Sequence, residues 1–302
     1  MARLVDVPTE RRPARLEETI ERVAERRVRS RYLDPDESRA EVEEMAERRG
    51  EAASLLDLLD DGGSPVGAVW MGGEGDELLV YDVVLDRPDL AAELVPLLVE
   101  RAREQGLPRI GVGVLPGDAA HEAVTAYPGF TLRATNMVLD LGPDLPDTGD
   151  LTLRPMKADE FEQFMAGEVE GFAQELATAG MDLEQALERS RTMMGELLPS
   201  GMDSPGMEFH VGEVEGVPVG DLWLSTGQTM AFVYNIVVRP DQRRRGYGAA
   251  IMNGAALRSR ELGHPVLGLN VFAHNPNARA LYDKLGYRVT HDYFALDVPD
   301  GG

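Results

Sequence analysis

The chain has 302 residues, 43% of them hydrophobic, which is enough for two domains with packed cores. Its formal net charge of −23 argues against a protein that grips nucleic acid over its whole surface, since counterion release needs basic surface. With no cysteine and five scattered histidines, it offers no disulfide, no thiolate nucleophile and no metal-ligand spacing.

No apolar run approaches a membrane span, and residues 1–15 lack the apolar core of a signal peptide, so a cytoplasmic protein without a membrane partner is expected. Residues 9–50, rich in Glu, Arg and Ala with apolar residues at helical spacing, predict two helices broken at 32–36. Residues 53–60 fit a strand or a helix. Strands are then predicted over 65–70 and 78–85, a helix over 90–105, a strand over 109–115, a short helix over 119–127 and a strand over 131–141. Turn-forming residues make 142–149 a linker. After it come a strand over 151–155, helices over 158–177 and 183–197, a strand over 207–214, and a turn at Gly216-Val217 into Pro218. The β-branched run 233–238 predicts a strand that Pro240 ends, followed by a helix over 249–262.

The second half repeats the plan of the first. Pro65-Val-Gly-Ala-Val-Trp70 matches Pro218-Val-Gly-Asp-Leu-Trp223, and Val80-Tyr-Asp-Val-Val-Leu85 matches Val233-Tyr-Asn-Ile-Val-Val238, both at an offset of 153. Downstream, Val114 aligns with Val271 and Gly129-Phe130 with Gly286-Tyr287 at an offset of 157. The second copy therefore carries four extra residues between strand and helix, where Asp241 to Gly248 lie.

That insertion is a loop of arginines and glycines between a strand and a helix start. Such an order points several backbone N–H groups at one spot, backed by the positive end of the helix dipole, and suits a phosphate or pyrophosphate. It is neither G-x-G-x-x-G nor a loop ending in G-K-S/T. Arg243, Gly246 and Gly248 instead resemble the R-x-x-G-x-G/A signature of the GNAT superfamily of acyl-CoA-dependent N-acetyltransferases. A second stretch, from Leu269 through Asn275, Ala278, Leu281 and Tyr282 to Gly286-Tyr287, resembles that family's other hallmark, Asn-x-x-Ala-x-x-Leu-Tyr-x-x-x-Gly-Phe/Tyr. Its local physics is consistent: Asn275 is a good N-cap, Pro276 fits the first helical position and Gly286 the C′ position.

The resemblance implies an α/β (α+β) chain of two tandem GNAT-fold domains, each a mixed, mostly antiparallel sheet flanked by helices. The expected boundaries are 1–141 for a degenerate, non-catalytic copy, 142–150 for the linker and 151–302 for the catalytic domain. The tandem layout with one degenerate half also resembles that of mycothiol synthases. By the second offset, Asn275 corresponds to Asp118 and Tyr282 to Thr125, so the first copy lacks both the phosphate loop and the tyrosine.

In the family, the strand before the loop pairs with the pantetheine arm, which here falls to Ile236, Val237 and Val238. The diphosphate would be held by the amides of Arg243, Arg244, Arg245, Gly246, Tyr247, Gly248 and Ala249, with Asn275 and Ala278 nearby. Separation of this strand from residues 269–272 would open a slot for the thioester. The resemblance makes Tyr282 the general acid for the departing thiolate, and implies acetyl-CoA as cosubstrate, no metal, a small-molecule or peptide amine as acceptor, and a monomer or homodimer. Many relatives place a glutamate on the central strand, but Phe232, Tyr234 and Asn235 stand there. Glu175, Glu208 and Asp221 are the candidate bases.

Overall fold

The structure, a computed structural model, describes residues 2–31, 35–178, 181–227 and 230–299. The first half runs β1 (Arg3–Asp6), α1 (Arg12–Arg31), α2 (Pro35–Arg49), β2 (Ala53–Leu59), β3 (Pro65–Glu74), β4 (Glu77–Leu85), α3 (Ala91–Glu104), β5 (Arg109–Val114), α4 (Ala119–Thr125) and β6 (Thr131–Asp140). The second half runs β7 (Leu151–Pro155), α5 (Ala158–Thr178), α6 (Leu183–Leu197), β8 (Met207–Val214), β9 (Val217–Ser225), β10 (Ala231–Val238), α7 (Tyr247–Glu261), β11 (Val266–Phe272), α8 (Pro276–Lys284) and β12 (Arg288–Asp297). The ambiguous segment 53–60 is strand, and β1 and β12 are strands the sequence pattern does not announce. Residues 32–34 of the predicted helix break lie outside the described residues.

The chain forms two compact units that are not two consecutive stretches. The first contains Met1–Met137, Asn270–Arg279 and Arg288–Gly302; the second contains Val138–Leu269 and Ala280–Tyr287. In the first, the strand order is β1-β2-β3-β4-β5-β12, with β6 beyond β12. β12, last in the chain, lies antiparallel to β5 from Asp292↔Val114 to Asp297↔Arg109. Gly111 and Gly113 on β5 make room for it, since a β-carbon on either would strike the Tyr293 hydroxyl or the His291 ring. The core of this unit joins Leu78, Leu94, Leu98, Ile110 and Val112, all fully buried.

In the second unit the order is β11-β10-β9-β8-β7. From β7 to β10 each strand pairs antiparallel with the next, and β10 pairs parallel with β11. Phe209, Val211 and Trp223 form one face of this sheet, covered by Phe161 and Phe164 of α5. Phe161 meets Phe209 edge-on, with ring centroids 4.7 Å apart. The other face takes α7, whose Ile251 packs onto Gly212 and Gly220. Strand alternation then sends Asp221, Trp223, Asn235 and Val237 toward α5, and Gly220, Leu222, Ile236 and Val238 toward α7.

The repeat extends to irregularities. Tyr81 is the extra residue of a β-bulge between β4 and β3, and Tyr234 is the extra residue of a bulge between β10 and β9. Gly106 and Gly263 follow α3 and α7 at φ 67° and 90°, the left-handed C′ conformation that closes a helix.

Candidate functional site

The central strand of the second unit loses a neighbour partway along. The β10–β11 ladder runs from Ala231↔Leu267 to Val233↔Leu269 and stops, whereas β10 continues to Val238. The bulge at Tyr234 turns the strand at that point, so Ile236, Val237 and Val238 pair with β9 on one side only. An unpaired strand edge presents backbone donors and acceptors at a fixed spacing, which suits an extended ligand carrying amides.

The arginine–glycine loop begins where that edge ends. After Pro240–Gln242, Arg244 takes φ 63° and Gly246 φ 88°, so the backbone curls twice into the left-handed region. Gly246 is the N-cap of α7 and supplies no side-chain cap, and the first turn of the helix holds no acidic residue. The N–H groups of Tyr247, Gly248 and Ala249 thus keep their hydrogen-bonding capacity for an anion. Arg243, Arg244 and Arg245 are all exposed. The Arg243 side chain, however, folds back and donates from Nε to the carbonyl of Val238 at 3.2 Å, bracing the loop against the strand end. These features fit a diphosphate: a curled amide loop, an uncapped helix start and adjacent guanidinium groups.

α8 supplies the next group. Asn275 is its N-cap, accepting from the Ala278 N–H through Oδ1 at 3.1 Å, as the sequence predicts. Ala278 is half-buried on this helix. One turn on, Leu281 reaches within 3.4 Å of the position a β-carbon on Gly248 would occupy, and Val238 within 3.6 Å, so strand end, loop and α8 converge there. The adjacent Tyr282 is 6% exposed, its ring centroid 5.7 Å from that of Tyr287. Burial raises its pKa above that of an ordinary phenol, so it stays protonated at neutral pH.

The candidate acids are scattered. Glu208 on β8 forms an ion pair with Arg258 of α7 at 2.7 Å and contacts His210 at 2.9 Å. The Arg258 hydrogen bond, with that of His210, holds its carboxyl below the usual range against the effect of burial. Asp221 lies on β9 opposite Val237, and burial pushes its pKa up while Arg239 pulls it down. Glu175 is exposed near the end of α5. A further acid is absent from the sequence reading. Glu168 of α5 is half-buried and accepts a hydrogen bond from Nδ2 of Asn235, one residue past the bulge. Burial raises its pKa, and the charge of Glu175 adds to the rise while the Asn235 bond opposes it. The signal lies in spacing: Phe161, Phe164 and Glu168 at i, i+3 and i+7 share the face of α5 that packs on the sheet.

The acetyltransferase (GNAT) family profile matches residues 176–287, which cover β10, the loop, α7, β11 and α8. An uncharacterized N-acetyltransferase of Bacillus subtilis (strain 168), YdgE, is 35% identical over 146 residues, covering 46% of this chain and 93% of that protein. The chain belongs to the GNAT family. A mycothiol acetyltransferase of Acidimicrobium ferrooxidans is 28% identical over 233 residues, with coverage of 72% of this chain and 71% of that protein. The crystal structure of a GCN5-related N-acetyltransferase from Sphaerobacter thermophilus aligns over 100% of this chain and 97% of its own with a TM-score of 0.57 at 17% identity, a likeness of fold.

The first unit repeats this arrangement position by position, with other residues. Its parallel ladder also stops early, at Val80↔Val112, just before the Tyr81 bulge. Beyond that point, Arg26 of α1 crosses to pair with both Asp82 on β4 and Asp118 at the head of α4, and Arg22 donates to Asp82 from Nε at 3.0 Å. Asp118 caps α4 through the His121 N–H as Asn275 caps α8. Burial would raise the Asp118 pKa, but His121 and Arg26 outweigh it and hold it at about 2. Thr125, at the station of Tyr282, spends its hydroxyl on the His121 carbonyl at 3.0 Å. Between β4 and α3 only a short turn, Pro88–Leu90, stands where the second unit has its loop.

Proposed function

We propose that the chain transfers an acetyl group from acetyl-CoA to a primary amine of a small molecule or peptide, with the second unit carrying the chemistry. One observation supports this above the rest: the ladder between β10 and β11 stops at Val233, and the strand edge it leaves leads into the uncapped start of α7. Ile236 to Val238 would pair with the pantetheine arm, and the amides of Arg243 to Ala249 would hold the diphosphate. Acetyl-CoA supplies the activated thioester. The protein's own part is to position the amine, donate to the developing oxyanion from a β10 amide near Val237, and deliver a proton from Tyr282 to the leaving sulfur.

In this reading the first unit keeps the fold without the activity, since it has no such loop and a threonine in place of Tyr282. Its role is then support of the catalytic unit. The relative named mycothiol acetyltransferase favours a second reading, acetylation of a cysteinyl pseudo-disaccharide. Thiol release from acetyl-CoA, followed with a panel of primary amines and with that pseudo-disaccharide, separates the two. Acetyl-CoA binding without thiol release under every acceptor would instead mark a non-catalytic binding module.

A further inference from the structure

Three half-buried acids of the second unit have guanidinium partners: Glu208 pairs with Arg258, and Glu160 and Glu213 both pair with Arg154. Glu168 differs. Its one hydrogen-bond partner among the described residues is the neutral amide of Asn235, and the charge that acts on it is that of a second carboxylate, Glu175. A carboxylate taken partly out of water without a counter-charge is costly, so it is a place where an incoming cation gains most.

The internal repeat sharpens the point. Asp82 in the first unit occupies the station of Asn235, one residue beyond the equivalent bulge. There the helix across from the strand sends two arginines, Arg22 and Arg26, and the charges are settled within the protein. In the second unit the polarity is reversed: the helix sends the acid, the strand offers an amide, and no guanidinium or ammonium among the described residues pairs with it.

Next to Asn235 on β10 stands an aromatic platform. Tyr234, the bulge residue itself, is 42% exposed and stacks on Trp223 with centroids 4.9 Å apart and planes 20° from parallel. Phe232 meets it edge-on at 5.7 Å. An exposed ring one residue from the amide that holds a carboxylate favours a cationic head on a planar or apolar body, because the ring face is electron-rich and its area is apolar.

We propose that Glu168, oriented by Asn235, receives the ammonium of the acceptor and takes its proton, and that the acceptor is a primary amine whose neighbouring carbon skeleton is planar or apolar and lies on Tyr234. This rests on the acetyltransferase reading. Glu168 accepts one ammonium proton, and the nitrogen lone pair so freed forms the C–N bond to the acyl carbon. The C–S bond breaks, the sulfur leaves with its electron pair, and Tyr282 protonates it. A second N–H proton restores the Tyr282 hydroxyl, and the Glu168 proton passes to solvent.

The test compares wild type with Glu168→Gln, which keeps the shape and the contact with Asn235. Wild-type thiol release from acetyl-CoA with 2-phenylethylamine and ethylamine tests the activity itself. Against that baseline, Glu168→Gln should lower kcat/KM about 10²- to 10³-fold, leave the acetyl-CoA Kd unchanged, and leave a residual rate that climbs with pH as free amine accumulates. Tyr234→Ala should raise KM for 2-phenylethylamine at least about tenfold more than for ethylamine. A calorimetric titration of 2-phenylethylamine into the protein saturated with CoA reads the same site without turnover, and Glu168→Gln should weaken it at least about tenfold. Wild-type turnover with an equally active Glu168→Gln overturns the proposal and leaves the acetyltransferase reading intact. No binding of the amine to wild type also overturns the proposal, whereas absent turnover with amine binding intact counts against the activity alone.

Discussion

Gly220 of β9 lies so close to Val237 of β10 that a β-carbon on it would stand 2.5 Å from the Val237 carbonyl oxygen and 2.7 Å from Cδ1 of Ile251. Gly67 stands in the same relation to Val84, with 2.6 Å to that carbonyl oxygen. The Pro-Val-Gly match between the halves is therefore a packing requirement: a glycine lets β10 and β4 lie tight against β9 and β3. Gly220→Ala should destabilise the chain by about 1–3 kcal/mol through overpacking. Urea unfolding would read this as a lower midpoint at unchanged slope, and an unaltered midpoint would contradict the close approach.

Gly246 turns the loop into α7 at φ 88°. Gly246→Val, which forces a β-branched residue toward the left-handed region, should weaken acetyl-CoA binding at least about tenfold while leaving the far-ultraviolet circular dichroism of the chain unchanged. Calorimetric titration checks it; unchanged affinity would remove the loop from the binding site.

Tyr282→Phe deletes only the hydroxyl from a buried ring. Turnover should fall about 10²- to 10⁴-fold where proton transfer to sulfur limits the rate, with the acetyl-CoA Kd little altered. Equal turnover in the variant would take the tyrosine out of the chemistry.

The two units should also differ in stoichiometry. Because Arg26 occupies the gap between Asp82 and Asp118, and only a short turn precedes α3, acetyl-CoA should bind at one equivalent per chain. Two equivalents by calorimetry would show that the first unit accepts the nucleotide as well.

The depressed pKa of Asp118 makes a stability prediction with a definite sign. Its folded value of about 2 lies below the unfolded value of about 3.9, so the carboxylate contributes stability that is present above pH ~4 and lost as pH falls toward 2. Asp118→Asn, which can still cap α4, should therefore cost on the order of 2 kcal/mol at pH 7, about half that at pH 3 and almost nothing near pH ~1. A difference that did not shrink with acid would place the stabilisation elsewhere.

Local order was written in the chain. The β-branched run up to Val238, the proline that ends it, the glycines at positions 246 and 248 and the Asn275-Pro276 helix start are short-range signals, and each produced the element it implies. The repeat was legible for the same reason: a duplicated chain keeps its spacing, down to the bulges at Tyr81 and Tyr234. What the sequence could not supply was which distant groups meet. β12 lies in the first unit beside β5, a pairing made across more than half the chain, and periodicity holds no information about such partners. Likewise nothing in the spacing of Glu208 distinguishes it from Glu168. Only the packing of α5 and α7 on opposite faces of one sheet gives the first an arginine and the second an amide, because a carboxylate's charge balance is set by neighbours in space and not by neighbours in sequence.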